Sequence, residues 1–330
     1  MARASSSMSD AQHRALVRKA IAHAEKVAGD DNAAFVQALR TQFFTQHGQR
    51  TRALRVVAAG GLRRGPAGDP SFHIFQDPRF LKNARELARR TQRGVRVIGG
   101  TTVKAKDFLD CVAVGNDQQW GCSGTLVART VVLTAGHCAS FATRVFFGRD
   151  VSKAGKVVRV AKRVRHPDYH KKGKHNDLMV LVLESPVSNV PPRGLASSAV
   201  INAAGDARVV GFGNTDPSGS FGYGVKRQTD VPVASPACDG EVNGEEDSVI
   251  YGCDPSLELI AGKPLLARDT CSGDSGGPIY VAGGSAKWLL AGATSRATDS
   301  ATNNCGDGGV YVRVDRYRDW IESIPGVDLP

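Results

Sequence analysis

The sequence reads CSGDSGGP at residues 271–278, TAGHC at residues 134–138 and NDLMVLVL at residues 176–183. Each segment adjoins a short apolar run, and similar runs recur from about residue 101 onward, separated by Gly, Pro, Asn and Asp. This pattern is typical of an all-β sandwich or barrel. We predict strands at 111–114, 124–127, 131–133, 144–147, 157–164, 178–183, 208–212, 278–281, 288–293 and 310–314, followed by a short helix at 316–324.

Charge and cysteine are unevenly distributed along the 330 residues. Residues 1–96 contain 18 Lys and Arg against 7 Asp and Glu, which accounts for the whole net charge of +11, and residues 97–330 are balanced. All seven cysteines lie between Cys111 and Cys305. Both distributions predict a boundary near residue 96. Before it we predict a basic helical region, with helices at 9–28, 33–46 and 77–93.

The composition restricts the class of protein. With 41% hydrophobic and 23% charged residues, the chain is neither collagen-like, mucin-like nor wholly disordered. It exceeds the ~250–300 residues at which single cores stop growing, so we expect more than one domain. The sequence contains neither the apolar run of a signal peptide nor ~18 consecutive apolar residues, and no transmembrane segment is predicted.

The three segments together carry the groups that nucleophilic catalysis requires. Ser275 has a hydroxyl that needs a neighbouring base, and the imidazole of His137 can accept a proton and return it. The carboxylate of Asp177 could orient that imidazole. Asp168 is the rival carboxylate, but it precedes the apolar run of residues 178–183 instead of opening it, so we favour Asp177.

In this order, the segments resemble the trypsin/chymotrypsin family of serine peptidases over roughly residues 97–324. The resemblance implies a fold of two antiparallel six-stranded β-barrels, at about 97–195 and 196–330, with the site between them. It implies that Ser275 is the nucleophile, that His137 is the base, and that Asp177 is the orienting acid. The backbone N–H groups of Gly273 and Ser275 would form the oxyanion hole. No cofactor and no metal are expected.

Substrate specificity can be inferred from the same resemblance. Asp269 lies six residues before Ser275, where trypsin-like members have the carboxylate at the floor of the primary pocket, so we expect cleavage after Arg or Lys. Gly309 corresponds to a small residue that leaves this pocket open, and Ser295 to a serine that hydrogen-bonds the catalytic Asp. Arg296 and Ala297 depart from the Trp-Gly that the family usually has at this wall of the pocket.

The family also implies three disulfides and a means of activation. The expected pairs are Cys122–Cys138, Cys238–Cys253 and Cys271–Cys305, leaving Cys111 as a free thiol or an intermolecular link.

Residues 96–100, RVIGG, resemble the zymogen cleavage site. Cleavage after Arg96 would free the ammonium group of Val97 to pair with Asp274 and order the oxyanion loop. Residues 1–96 would then be a pro-segment, removed by another protease or by the enzyme itself.

Three disulfides indicate an oxidising compartment, so we expect a secreted or periplasmic protein. Two alternatives stay open. One is an intracellular regulatory peptidase whose residues 1–96 remain attached and recruit an anionic partner, such as nucleic acid. The other is a catalytically silent relative that serves as a binding module, against which the complete set of His137, Asp177 and Ser275 argues.

Overall fold

The computed structural model describes Lys26 and residues 100–169, 175–215, 223–242, 244–262, 269–284, 287–301 and 306–329. Apart from Lys26, which is helical, the three predicted N-terminal helices lie outside the described residues. The predicted cleavage site at Arg96 and Val97 also lies outside them, as does Cys305.

Six antiparallel strands close the first barrel. Its strands pair in the order β2-β3-β4-β7-β6-β5, and β5 pairs with β2 to complete the circle. Apolar side chains that alternate along the strands fill the interior, and each fully buried Val or Leu contributes about 1.5–3 kcal/mol. The strands are β2 (Cys111–Gly115), β3 (Cys122–Ala128), β4 (Val131–Thr134), β5 (Arg144–Phe147), β6 (Lys156–Arg165) and β7 (Met179–Leu183).

The second barrel has the order β9-β12-β15-β14-β13-β8 and is closed by pairing between β8 and β9. A short strand, β1 (Thr101–Thr102), adds to its β9, and β10 (Glu241–Val242) pairs with β11 (Glu245–Glu246) as a separate ribbon. The predicted fold of two six-stranded antiparallel barrels is confirmed. The barrel strands are β8 (Asp206–Gly211), β9 (Arg227–Ser235), β12 (Glu258–Ala261), β13 (Pro278–Ala282), β14 (Trp288–Ala297) and β15 (Gly309–Arg313).

Helices are few and short in the described part of the chain. They are α1 (Ser198–Asn202), α2 (Asp247–Tyr251) and α3 (Arg318–Glu322), with 3-10 turns at Gly136–Ser140 and Val314–Tyr317. Residues near α3 join both barrels in one buried group, in which Val131 of the first barrel, Val312 of the second and Ile321 of the helix all take part. None of the described helices is long and apolar enough to cross a membrane.

The barrel register brings two of the predicted site residues together. Thr134, the last residue of β4, is paired with Met179, the first residue of β7. His137 follows β4 and Asp177 precedes β7, so both lie at the same end of the first barrel. At this end, the backbone N–H of Ser123 in β3 donates to the carbonyl of Ser275 at 2.8 Å, which attaches the loop before β13 of the second barrel.

Candidate active site

His137 and Asp177 are joined by two hydrogen bonds. The Nδ1 atom of His137 lies 2.8 Å from Oδ2 of Asp177, and the backbone N–H of His137 donates to Oδ1 at 2.9 Å. The Asp177 side chain is completely buried, whereas that of His137 is 27% exposed. Because the carboxylate binds Nδ1, the other ring nitrogen, Nε2, is left to exchange protons. Asp168 is exposed, and its backbone carbonyl accepts from the side chain of Asn176.

The hydroxyl of Ser295 donates to Oδ2 of Asp177 at 2.7 Å. The same oxygen therefore accepts from both Ser295 and His137. Hydrogen bonds to a carboxylate stabilise its charged form, so Ser295 completes the set of donors that compensates for the burial of Asp177. The structure thus places Ser295 against the carboxylate, as the resemblance implies.

Ser275 lies on a loop whose backbone conformation favours glycine at two positions. Gly273 and Gly276 have φ angles of +98° and +74°, and a Cβ atom on Gly276 would lie 2.1 Å from Oγ1 of Thr134. Ser123 Oγ donates to the carbonyl of Gly273 at 2.9 Å. Within the described residues, the N–H groups of Gly273 and Ser275 donate no hydrogen bond. Both are therefore available to an oxygen of a bound substrate.

His137 and Ser275 line one open cleft with a volume of about 770 Å³. Residues 294–297 of β14 form one wall, and residues 270–272 form another. Two further parts of the lining come from His175, before Asp177, and from the end of α2 at Gly252. The cleft thus contains a nucleophile candidate and a base candidate, with four residues of β14 along one wall.

Asp269 is enclosed by small residues close to this cleft. A Cβ on Gly262 would lie 2.8 Å from its Oδ2, and a Cβ on Gly309 would lie 3.0 Å from it. The Tyr311 hydroxyl donates to its other oxygen. The residue as a whole is partly exposed, but enclosure of the carboxylate raises its pKa to about 7, against the lowering effect of Tyr311. Thr270 lines the cleft, whereas neither Asp269 nor Gly309 is among its described lining residues.

The carboxylate of Asp274, next to Ser275, lies against Gly211 and Gly213, and Asp274 is not among the described residues that line the cleft. Its Oδ1 accepts from the N–H of Gly213 at 2.7 Å, and its Oδ2 accepts from that of Cys271 at 2.9 Å. Burial of the carboxylate raises its pKa to about 6, although both hydrogen bonds oppose that rise. Within the described residues, no Lys or Arg forms an ion pair with Asp274.

Disulfides support the loops around the cleft. Cys122 is bonded to Cys138, next to His137, and Cys238 is bonded to Cys253. Cys271 is also disulfide-bonded, while Cys305, its expected partner, lies outside the described residues. Among the described residues, the cluster with metal-ligand atoms within 4.8 Å of one another is Cys122, His137 and Cys138. Its two sulfur atoms are bonded to each other and are not free to bind a metal.

Two side-chain pairs at the cleft, one of them an ion pair, were not predicted from the sequence. Arg296 forms a bidentate pair with Glu258, with both N–O distances at 2.7 Å. His175 Nδ1 lies 2.5 Å from Oδ2 of Asp254. The sequence showed that Arg296 departs from the family pattern, but neither Glu258 nor Asp254 belongs to any motif. The pairing depends on long-range contacts.

Comparison with known proteins agrees with this geometry. The family model that matches the chain is Trypsin, over residues 97–321. The chain is 35% identical over 232 residues to the trypsin of Saccharopolyspora erythraea, a match covering 68% of this chain and 95% of that relative. Similar proteins include the snake venom serine protease catroxase-2 of Crotalus atrox, at 29% over 244 residues (69% and 86% covered). The vitellin-degrading protease of Bombyx mori is 30% identical over 237 residues (69% and 85% covered).

A double barrel with a histidine hydrogen-bonded to a buried aspartate, and with a serine loop in the same cleft, defines a protein of the serine protease class. The chain belongs to the trypsin family of these hydrolases.

Proposed function

We propose that this protein is a serine endopeptidase that hydrolyses peptide bonds after Arg or Lys, and that it is made as a zymogen activated by cleavage between Arg96 and Val97. The observation that carries the catalytic part is the hydrogen bond between His137 and the buried Asp177, in a cleft shared with Ser275.

In the proposed reaction, Oγ of Ser275 attacks the carbonyl carbon of the scissile bond while Nε2 of His137 takes its proton. Asp177 holds the ring and stabilises the imidazolium that forms. The N–H groups of Gly273 and Ser275 stabilise the negative oxygen of the tetrahedral intermediate. The C–N bond then breaks, and His137 gives its proton to the leaving amine. A water molecule, activated by the same imidazole, hydrolyses the acyl-enzyme and frees Ser275.

The preference for Arg or Lys is assigned to Asp269. An enclosed carboxylate with a raised pKa gains a counter-ion when a cationic side chain binds, which offsets the cost of its burial. The glycines at 262 and 309 leave space around the carboxylate that larger side chains would fill. Its position beside Thr270, which lines the cleft, supports access from the substrate side.

Activation is assigned to Asp274. Its carboxylate is held by two backbone N–H groups, with no described cation to neutralise it. An ammonium group freed at Val97 would supply that charge at a residue adjacent to Ser275, so it would stabilise the loop that carries the oxyanion hole. The residues up to 96 would then act as a pro-segment, removed by another protease or by the enzyme itself.

We also propose secretion or periplasmic export, because disulfides form and persist in oxidising compartments. The Crotalus atrox relative is described as a snake venom protease, which is consistent with this location. The alternative remains an intracellular peptidase whose basic residues 1–96 stay attached and bind an anionic partner.

The test is hydrolysis of a short Arg-ending amide by intact 1–330 and by the same chain cleaved after Arg96, with Ser275→Ala as the control. Turnover that appears only after cleavage, and is absent from the control, supports both parts of the proposal. Equal turnover in the intact chain supports an attached regulatory region. Absence of turnover on Arg, Lys and other side chains alike contradicts the assignment of peptidase activity.

A further inference from the structure

Arg296 is a buried cation in the cleft wall beside the catalytic acid. Its side chain is 11% exposed, and that of its partner Glu258 is 1% exposed. Besides the two bonds to Glu258, its guanidinium donates to the carbonyl of Gly252 at 2.7 Å. A planar guanidinium with three such bonds has a fixed orientation. Arg296 is therefore not a side chain that swings freely in solvent.

A fourth bond connects this cation to the catalytic residues. Nη1 of Arg296 lies 3.3 Å from Oγ of Ser295, and that hydroxyl donates to Oδ2 of Asp177 at 2.7 Å. A guanidinium has donors and no acceptor, so Ser295 must accept from Arg296. The single proton of the hydroxyl is then directed to Asp177. The chain of contacts continues to Nδ1 of His137, which binds the same carboxylate oxygen.

We propose that Arg296, held in place by Glu258, is a positioning residue for the catalytic acid: it fixes the Ser295 hydroxyl as a donor to Asp177 and reduces the negative potential that Asp177 presents to His137. This inference rests on the proposed function only for the roles of His137 and Asp177. It adds a positively charged residue to the contacts of the catalytic acid, at the position where the family usually has Trp.

The pKa directions of the pair agree with a charged, tightly coupled arrangement. Burial opposes the charged form of Arg296, but the hydrogen bonds and charge of Glu258 outweigh it and raise the pKa of Arg296; Asp254 and Asp177 add to this rise. Burial raises the pKa of Glu258 above its usual range, against the effect of Arg296. The two ionised groups therefore depend on each other, and each variant at one position leaves an uncompensated charge at the other.

Other titratable groups also face the His137–Asp177 pair. Asp177 acts electrostatically on Tyr169, over whose ring Arg165 lies at 4.9 Å, and on Tyr317, next to α3. His175 and its partner Asp254 lie at the cleft. Among the described Arg and Lys side chains, Arg296 is the one joined to Asp177 through a single hydroxyl. The others are constant between the variants below, so they do not obscure the comparison.

Because Arg296 and Glu258 carry opposite charges, the proposal predicts that variants at the two positions shift the titration of His137 in opposite directions. Arg296→Gln keeps a side-chain donor near Ser295 and leaves the negative Glu258, which stabilises the imidazolium of His137. Glu258→Gln leaves the positive Arg296, which destabilises the imidazolium of His137. The pH midpoint at which His137 titrates should rise in the first variant and fall in the second, each by about half a pH unit or more. The double variant should lie between the two single variants, since it removes both charges and Arg296 is the one that contacts Ser295.

The experiment is an NMR titration of the His137 imidazole in the full chain carrying Ser275→Ala, with His137 assigned from a His137→Gln spectrum. This readout does not require activity, so it remains valid even if the peptidase assignment fails. The matched control is Arg208→Gln, which breaks another bidentate pair, with Asp230, in which neither residue lines the cleft.

Opposite shifts of the two single variants, larger than that of the control, support the proposal. Shifts in the same direction, or no shift beyond the control, overturn it and leave the pair as a brace of the cleft wall. If Arg296→Gln does not fold, Glu258→Gln and the double variant, in which two amides can still bond, decide the question. In chains with Ser275 intact, the acidic limb of kcat/KM against pH should move with the same signs.

Discussion

The carboxylate of Asp274 lies against Gly213, whose backbone N–H donates to it at 2.7 Å, and a Cβ atom on Gly213 would lie 2.7 Å from its Oδ2. This contact leaves no room for a side chain on Gly213 and holds an enclosed acid directly beside Ser275. An acid in such a site is costly when ionised, and its pKa of about 6 expresses that cost.

The first prediction concerns the stability of the intact chain. Because the folded-state pKa of Asp274 is raised, its contribution to stability is fully present below about pH 4 and is lost as pH rises through about 6. An ammonium at Val97 would restore stability above this range. We therefore expect cleavage after Arg96 to raise Tm more at pH 7 than at pH 4, measured by calorimetry in the Ser275→Ala chain.

Asp274→Asn is the control for this effect, since an amide does not titrate. In that variant, the gain in Tm on cleavage should be small and should not change between pH 4 and pH 7. A gain that is equally large with Asn at this position would show that cleavage stabilises the fold by another route.

The second prediction concerns ligand binding at Asp269. A bound cation favours the ionised carboxylate, so a small amidinium ligand must displace a proton below pH 7. Its affinity should rise about tenfold per pH unit below pH 7 and level off above it. Calorimetric titration of the Ser275→Ala chain, after cleavage at Arg96, measures both the affinity and the proton released.

Asp269→Ser should abolish this pH dependence and weaken binding at pH 8. The matched control is Asp299→Asn, which removes a carboxylate that lines the cleft but is not the proposed pocket acid. If Asp299→Asn weakened binding as much as Asp269→Ser, the assignment of the pocket to Asp269 would be wrong.

Most of the barrel strands could be predicted because their signals are local. Apolar runs such as 131–133 and 178–183 are short, buried and bounded by turn residues, and the structure has strands at both. Two barrel strands were missed. β9 (Arg227–Ser235) contains Pro232 and several polar residues, and β12 (Glu258–Ala261) has four residues and begins with a buried glutamate. Their assignment depends on pairing with distant strands.

The residues of the candidate site likewise divide into those with a local sequence pattern and those that depend on distant contacts. The His137, Asp177 and Ser275 segments each carry a local pattern, which made them recognisable. Glu258 is 1% exposed because Arg296, thirty-eight residues later, neutralises it, and no local pattern reports such a pair. Asp247, at the end of the acidic stretch at residues 239–247, is another residue whose burial no local pattern reports. That residue is buried and accepts from Ser235 Oγ at 2.5 Å and from the N–H of Gly240 at 3.0 Å.

The third prediction is that Cys111 does not react while the chain is folded. It is completely buried in β2, and burial raises the pKa of its thiol to about 12. Thiol reagents act on the thiolate, which is scarce and inaccessible here. At pH 8, we expect no labelling of the native chain and one labelled thiol after denaturation without reductant. Cys111→Ala should remove that signal, and rapid labelling of the native chain would argue for an exposed, intermolecular role.

The fourth prediction tests the contact between the two barrels at the active site. Gly276 has a φ of +74°, and a Cβ there would lie 2.1 Å from Oγ1 of Thr134 and 2.4 Å from the backbone nitrogen of Ala135. Because a backbone atom cannot move aside cheaply, Gly276→Ala must displace the loop that carries Ser275 from the loop that carries His137. We expect a loss of at least about 2 kcal/mol in the free energy of unfolding, from strain and overpacking.

Gly284→Ala is the matched control, because nothing lies within 4 Å of the Cβ position there. Its free energy of unfolding should stay within about 0.5 kcal/mol of the parent chain. Denaturant unfolding in the Ser275→Ala background measures both variants, and kcat/KM in the active background should fall about 100-fold or more for Gly276→Ala alone, since ~1 Å of misplacement can cost that much. If Gly276→Ala retained full stability and activity, the close approach of the two loops would not be needed for catalysis, and the geometry that defines the site would have to be reconsidered.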